Sequence, residues 1–313
     1  MEFIDEAILK TLLYSDIFDF PLTKDELWHF LISDKKIEKT DFDEALRKLI
    51  QPENLIFQRE ENKIGVIYKQ GFYCLSGRQQ IIKDRKSKLT EAYKKNHIAQ
   101  RAAYYLSLIP TIEFIGISGS LALKNASIND DIDFFVIVKK NTLFMTRFWI
   151  LCTLEWLKLR RKRNERSAID KVCVNLLLDE TKLTWSTGKR DLYVAHEIVQ
   201  VIPLFERNNM YKKFMINNKW IEKFFPNIKV NEVSFLQRKW KTNFYSLKII
   251  NLILTILRFE NIIRKVQYIY MKKYQTSEVV TNSFLAFHPI DYRAKIMNDL
   301  RTKYRKIGLL TNI

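Results

Sequence analysis

The alternation of apolar and polar positions divides the chain into segments of different periodicity. In the first fifty residues apolar side chains recur every three or four positions, which predicts three short helices. The first helix carries Ile8 and Leu12 on one face. The second begins at Thr23 with Glu26 three residues later, a pair whose types and spacing form a capping box. The third is predicted to begin near Thr40.

Short apolar runs separated by polar turns follow the third helix. Residues 55–57, 65–68 and 71–75 are rich in β-branched and aromatic side chains, which favours extended strands and a hairpin. Three helices followed by a hairpin resemble a winged-helix domain over residues 1–78. DNA-binding members of that class insert the third helix into the major groove.

The predicted third helix carries both signs of charge. Arg47 and Lys48 favour a phosphate backbone, whereas Asp41, Asp43 and Glu44 repel one. Two hypotheses therefore stay open for this domain, namely DNA binding and a packing or protein-interaction role.

A longer α+β segment is predicted over residues 79–206. A polar helix leads from about residue 78 to Pro110. Continuous apolar runs then predict buried strands, and helical spacing predicts two covering helices. The predicted strands are 112–117, 134–138 and 171–178, and the predicted helices are 143–160 and 192–201, the last closed by Pro203.

The residues between the first two strands are the best candidates for chemistry. Gly119 and Ser120 follow the first strand, and Asp131 and Asp133 open the second. Side chains at positions i and i+2 of a strand share a face, so the two carboxylates are expected roughly 6–7 Å apart. Such a pair can bind divalent cations that bracket a phosphoryl group. The glycine allows close approach of the backbone to a ligand.

This pattern of Gly-Ser, ten residues and Asp-Ile-Asp-Phe resembles the signature of the DNA polymerase beta superfamily of nucleotidyltransferases. The resemblance implies a mixed sheet with helices and the transfer of a nucleoside monophosphate from an NTP to an acceptor hydroxyl, on RNA or another molecule. It implies Mg²⁺ or Mn²⁺ on Asp131 and Asp133. It also implies nucleotide contacts from Gly119 and Ser120. The Gly and Arg that often follow this turn in the family are missing, and Leu123 and Lys124 stand there; Lys124 is either a triphosphate contact or a solvated lysine.

The pattern departs from the family where many members carry a third carboxylate on a neighbouring strand. The best-fitting position in residues 171–178 is Asn175, whose amide cannot act as a base. Either Asn175 orients the acceptor in a two-carboxylate catalytic site, or the chain is a catalytically weak, nucleotide-sensing winged-helix regulator that binds nucleic acid. Glu197 and His196 stay open as other general bases.

Charge distinguishes the C-terminal third from the rest of the chain. The whole sequence has 53 Lys and Arg against 35 Asp and Glu, whereas residues 207–313 have 21 against 6. This excess favours an anionic partner: nucleic acid, a nucleotide or an anionic membrane surface. Residues 207–313 are predicted to form a mostly helical basic domain. Its aromatic residues fit either a core or stacking on single-stranded nucleic acid. The basic run at residues 160–163 is either a phosphate-binding patch or an exposed loop.

Composition limits where the protein is expected to work. Cys74, Cys152 and Cys173 lack metal-ligand spacing, which favours buried or semi-buried thiols in a reducing compartment. No signal sequence is recognised at the N-terminus. The apolar run 249–257 is too short to cross a bilayer, and a core helix or a monotopic membrane contact both fit it. A cytoplasmic protein without a transmembrane segment is expected; the oligomeric state is not predicted.

Overall fold

The computed structural model describes residues 2–51, 65–162, 168–228, 260–274, 279–286 and 292–309. Within these residues the protein is α+β, as predicted. The helices are α1 (Phe3–Asp16), α2 (Lys24–His29), α3 (Lys39–Leu49), α4 (Gln80–Ser107), α5 (Gly119–Ala122), α6 (Leu143–Trp156), α7 (Leu192–Val199), α8 (Met210–Asn217), α9 (Glu260–Tyr274) and α10 (Tyr292–Lys306). The strands are β1 (Val66–Lys69), β2 (Phe72–Leu75), β3 (Ile112–Ile117), β4 (Ile132–Val138), β5 (Val172–Asp179), β6 (Ile202–Glu206), β7 (Val279–Val280) and β8 (Phe284–Ala286).

The N-terminal helices and the β1–β2 hairpin follow the predicted order. The capping box of α2 is present, because the Glu26 amide donates to Thr23 Oγ1 at 3.2 Å and the Thr23 amide donates to Glu26 Oε2 at 2.9 Å. An antiparallel bridge joins Leu22 to Tyr73, so the hairpin is tied to the segment between α1 and α2. The predicted strand at 55–57 lies outside the described residues.

A six-stranded mixed sheet forms the centre of the molecule, in the order β6-β3-β4-β5-β8-β7. Strand β4 runs parallel to β5 and antiparallel to β3. Helix α6 makes the crossover between the two parallel strands, as a βαβ unit requires. The strands predicted at 112–117 and 134–138 are confirmed, and the structure pairs them within the sheet, where both faces are buried.

Helices cover both faces of this sheet. On one face α4, α6 and α9 bury a cluster that includes Ala99, Ile150, Leu154 and Met271. On the other face α1, α7, α8 and α10 contribute to the second large cluster. The N-terminal helices belong to this second cluster and are therefore packed against the sheet.

The structure corrects the prediction that Pro203 closes a helix. Helix α7 ends at Val199, and Pro203 lies inside β6, paired with Gly116. Proline has no N–H to donate to a ladder, so it is tolerated only where one side of the strand needs no partner. Strand β6 is at the edge of the sheet, which satisfies that condition.

The basic C-terminal third contributes strands as well as helices. Strands β7 and β8 pair with each other, and β8 extends the sheet by pairing with β5. The prediction of a mostly helical segment did not include these strands. None of the described helices is long and apolar enough to cross a membrane. The run at 249–257 lies outside the described residues.

Candidate active site

The turn between β3 and α5 brings the backbone against a carboxylate. Gly119 has φ +63°, a conformation that L side chains rarely adopt. A Cβ atom added there would lie 2.5 Å from Asp133 Oδ2, far inside van der Waals contact. The Ser118 amide also donates to the Asp133 carbonyl at 2.9 Å. The turn therefore requires glycine for two independent reasons, its dihedral angle and the space that Asp133 occupies.

Asp130 closes the loop that follows. Its carboxylate accepts from Ser120 Oγ at 3.0 Å, from the Ser127 amide at 2.9 Å and from Ser127 Oγ at 2.7 Å. These bonds make Asp130 a turn residue. The Ser120 hydroxyl, predicted to contact nucleotide, is a donor within this loop in the structure.

Two buried cations of α4 hold the ends of the same loop. Arg85 Nη1 donates to the carbonyls of Leu123 and Lys124 at 2.7 and 2.6 Å, while its Nη2 donates to Glu26 at 2.8 Å. Arg85 thereby joins α2 of the N-terminal helices to the end of α5.

Lys95, 1% exposed, performs the same task at the far end of the loop. Its Nζ donates to the carbonyls of Ile128 and Asp130 at 3.1 and 2.8 Å and pairs with Asp170 at 3.1 Å. Buried cations paired in this way fix a loop rigidly, because breaking one partner leaves a desolvated charge.

Asp131 and Asp133 meet the thiol of Cys173. One ligand atom from each of the three residues lies within 4.8 Å of the other two. The β4–β5 register explains this, because Asp133 pairs directly with Cys173. Asn175, the position expected to replace a third carboxylate, lies at a register irregularity between the pairs Phe134–Val174 and Phe135–Leu176. The residue directly across from Asp133 is therefore Cys173.

An arginine covers one side of this cluster. Arg161 Nη1 forms an ion pair with Asp131 Oδ2. The basic run at 160–163 thus begins beside the two aspartates, although residues 163–167 are not described. Arg161 is half exposed, so its side chain can leave Asp131 without disrupting a core.

Burial and crowding of negative charge perturb the cluster. Burial, and then the charge of Asp131, raise the pKa of Asp133 well above its ordinary value, while Arg161 works in the opposite direction. Burial, followed by the charges of Asp133 and Asp131, raises the pKa of Cys173 to about 12. The Cys173 thiol is therefore neutral near pH 7, and a bound cation would favour the ionised form of Asp133.

Helix α7 brings Glu197 to the same edge of the sheet. The chain leaves α7 and enters β6 at Ile202, which pairs with Ile117, the residue just before the Ser118–Gly119 turn. Burial raises the pKa of Glu197 to about 7, against a hydrogen bond from Gln200 Nε2 at 2.6 Å that lowers it. Its charge is also one of the causes of the raised pKa of Asp133. Perturbed carboxylates of this kind concentrate at functional sites.

His196, the neighbouring candidate base, is part of the core. Its ring stacks on Tyr14 at 4.5 Å and on Phe30 at 4.8 Å between centroids. Burial lowers the pKa of His196 to about 3, so the ring is neutral at pH 7. These contacts favour a structural role for His196 in the core over a role as a general base.

Glu197 gives the stability of the protein a pH dependence. Because its folded pKa of about 7 lies above the ordinary 4.5, its contribution is complete below pH 4.5 and is lost as pH rises through 7. Between pH 5 and 8, we expect ionisation of Glu197 to lower the free energy of unfolding of the wild type by about 2 kcal/mol. The Glu197→Gln variant should not show this decrease. Urea titrations at the two pH values would measure the free energy of unfolding, with Glu38→Gln, a change at an exposed carboxylate, as the control. If the free energy of unfolding changes equally with pH in wild type and Glu197→Gln, the assignment is refuted.

Lys124 faces a different feature from the one expected. It has φ +52° and lines a cleft of about 430 Å³ between α5 and α2, together with Asp25, Glu26, Trp28, His29, Phe30, Ala122 and Leu123. A nucleotide contact from Lys124 stays a prediction. The cleft that Lys124 lines is bordered by residues of the N-terminal helices.

Sequence spacing alone did not identify several residues of the site. Cys173 is half-buried beside the aspartates, although its spacing gave no metal signal, and Cys152 is exposed where a buried thiol was expected. The parity of β5 relative to β4 would have found Cys173, but the register was unknown from sequence. Arg85 and Lys95 gave no signal, since a lysine or arginine on a polar helix is usually solvated.

Comparison with known protein families, curated proteins and solved structures finds no match for this chain.

Proposed function

We propose that this protein is a metal-dependent nucleotidyltransferase that moves a nucleoside monophosphate from an NTP to an acceptor hydroxyl. The observation that carries the proposal is the contact between Gly119 and Asp133. A glycine held at positive φ directly against a carboxylate, with a second carboxylate two residues earlier, is an arrangement that admits a nucleotide and cations together.

The architecture supports this assignment at a coarser level. We infer a nucleotidyltransferase-type sheet from the order strand, Gly-Ser turn, short helix and strand, with the parallel β5 beside β4. We infer a winged-helix-like domain from α1, α2, α3 and the hairpin. Arg85 joins that domain to the end of α5, and the cleft beside Lys124 lies between α5 and α2. This position suits a role of the domain in binding the acceptor or the nucleotide.

The donor set fits a divalent cation. Asp131 and Asp133 supply the oxygen ligands that Mg²⁺ and Mn²⁺ prefer, and a bound cation would favour the ionised form of the buried Asp133. Because residue 119 is a glycine, it has no side chain that would cover Asp133 Oδ2. Cys173 is a softer ligand than these ions require.

The chain's own residues have distinct tasks in the proposed reaction. Asp131 and Asp133 would hold a divalent cation, which would supply charge neutralisation for the phosphates. The new bond forms between the acceptor oxygen and the α-phosphorus, the bond from that phosphorus to the bridging oxygen of pyrophosphate breaks, and pyrophosphate leaves. Gly119 and the Asp130 loop position the nucleotide, and Arg161 is available for a phosphate once it leaves Asp131.

Glu197 is our candidate for the proton acceptor. A carboxyl with a pKa of about 7 matches a general base that works near neutral pH. Gln200 holds one of its oxygens, which leaves the other for the acceptor hydroxyl. This assignment replaces the third carboxylate that β5 does not supply.

A transfer assay tests the proposal. Full-length protein would be incubated with Mg²⁺ or Mn²⁺, each labelled NTP and total RNA, since the basic C-terminal third favours a nucleic-acid acceptor. We expect metal-dependent incorporation of label. Absence of both incorporation and metal-dependent nucleotide binding would refute the site.

Two observations favour a second candidate, a nucleotide-sensing regulator with little turnover. Arg161 already occupies an oxygen of Asp131, and Cys173 stands where a carboxylate would pair with Asp133. For this function the same assay would show metal-dependent NTP binding without label transfer to RNA, small-molecule or protein acceptors.

The thiol makes a prediction about metal preference. We expect Cys173→Ser to weaken Cd²⁺ binding by about tenfold or more, because a soft cation gains from a thiolate, while Mg²⁺ binding changes little. Isothermal titration would measure both affinities. The exposed Cys152→Ser is the matched control. Equal loss in the two variants would show that Cys173 does not contact the cation.

A further inference from the structure

Helices α6 and α9 expose apolar side chains on the side away from the sheet. On α9, Ile262, Val266 and Ile269 are 57%, 63% and 71% exposed and recur with helical spacing. On α6, Phe148 and Trp149 are 42% and 39% exposed. An aliphatic stripe of this kind is unusual on the surfaces of soluble proteins in general, where large apolar residues are normally scattered.

These two sets of side chains lie beside one another. Arg147, the residue before Phe148, donates to the Gln267 amide oxygen at 2.7 Å, and Gln267 follows Val266. Both helices bury their other sides in one cluster, through Ile150 on α6 and Met271 on α9. Their outer sides therefore form one surface, here called the α6–α9 face: Phe148, Trp149, Ile262, Lys265, Val266, Ile269 and Lys272.

The charge of this face is positive. Lys265 and Lys272 are exposed within or next to the aliphatic stripe. The only acid of α9, Glu260, is turned inward, where its carboxylate accepts from the amides of Phe144 and Met145 at 2.9 and 2.7 Å. An apolar stripe flanked by lysines suits the boundary between lipid head groups and acyl chains.

We propose that the α6–α9 face binds an anionic membrane surface, with α9 lying in the plane of the interface. Tryptophan at this face suits the head-group level, where amphipathic rings concentrate. Single-stranded nucleic acid is the less suitable occupant: bases could stack on the exposed aromatic rings of α6 and α9, but the aliphatic stripe of Ile262, Val266 and Ile269 offers no such ring and suits acyl chains instead. The proposal stands independently of the nucleotidyltransferase assignment.

Sedimentation of the full-length protein with vesicles tests this surface. We expect binding to phosphatidylcholine vesicles that contain phosphatidylserine, and at least about tenfold weaker binding to phosphatidylcholine alone. Ile262→Gln/Ile269→Gln should weaken binding to the anionic vesicles by about tenfold or more, since it removes two apolar insertions. The control Tyr68→Gln/Ile216→Gln removes two exposed apolar residues elsewhere and should bind as wild type.

A second pair of variants tests the charge. Lys265→Glu/Lys272→Glu should weaken binding to the anionic vesicles by about tenfold or more, whereas Lys295→Glu/Lys306→Glu on α10 makes the same charge change and should have a much smaller effect. Circular dichroism would show that all variants are folded. The proposal is wrong if the α9 variants bind vesicles as wild type does. It is also wrong if wild type does not sediment with vesicles and the α9 variants lose binding to an RNA oligonucleotide.

Discussion

Asp133→Asn is expected to abolish transfer while leaving the fold intact or more stable. The amide keeps the shape of the side chain but removes a ligand of the proposed cation, so label transfer should fall on the order of 10³-fold or more. In metal-free buffer the free energy of unfolding should rise by about 1 kcal/mol, because the variant no longer buries a carboxyl group beside Asp131. Loss of activity with gain of stability separates a functional residue from a structural one.

Two measurements on the same samples check this result. Transfer kinetics with and without Mg²⁺ give the first change, and urea titration in EDTA gives the second. Asp84→Asn, an exposed carboxylate on α4, is the matched control and should alter neither. Transfer within about tenfold of wild type in Asp133→Asn would show that the chemistry occurs elsewhere.

Gly119→Ala should have the opposite effect on stability and the same effect on activity. The left-handed backbone costs an alanine about 1–2 kcal/mol, and the contact with Asp133 Oδ2 adds overpacking strain of similar size. We expect the free energy of unfolding to fall by about 2–4 kcal/mol. Transfer should fall on the order of 10²-fold, because the Asp133 carboxylate must move to relieve the contact.

Two other glycines separate these causes. Gly77 has φ +79° with no atom within 4 Å of an added Cβ, so Gly77→Ala measures the backbone cost alone, about 1–2 kcal/mol. Gly188 has neither a left-handed φ nor a close neighbour, so Gly188→Ala should be neutral. If Gly119→Ala costs no more than Gly77→Ala and retains transfer, the close approach to Asp133 has no functional role.

Local patterns in the sequence accounted for most elements of the segment that carries the candidate site. The strand at 112–117 matches β3, and the apolar run at 134–138 lies within β4. Continuous apolar runs are legible because both faces of these strands are buried. The short strands β7 and β8 gave no comparable signal, because strands of only two or three residues are stabilised by pairing with a partner strand and not by their own composition.

The sequence by itself determined that Gly119, Ser120, Asp131 and Asp133 lie at one strand–turn–strand junction, because contacts between residues so close along the chain follow from local backbone geometry. Only the tertiary structure decided what surrounds them. The β4–β5 register placed Cys173 rather than Asn175 across from Asp133, and the packing of α4 and α7 supplied Lys95 and Glu197. These are contacts over dozens of residues. They depend on strand register and helix packing, which many distant side chains fix together and no local pattern encodes.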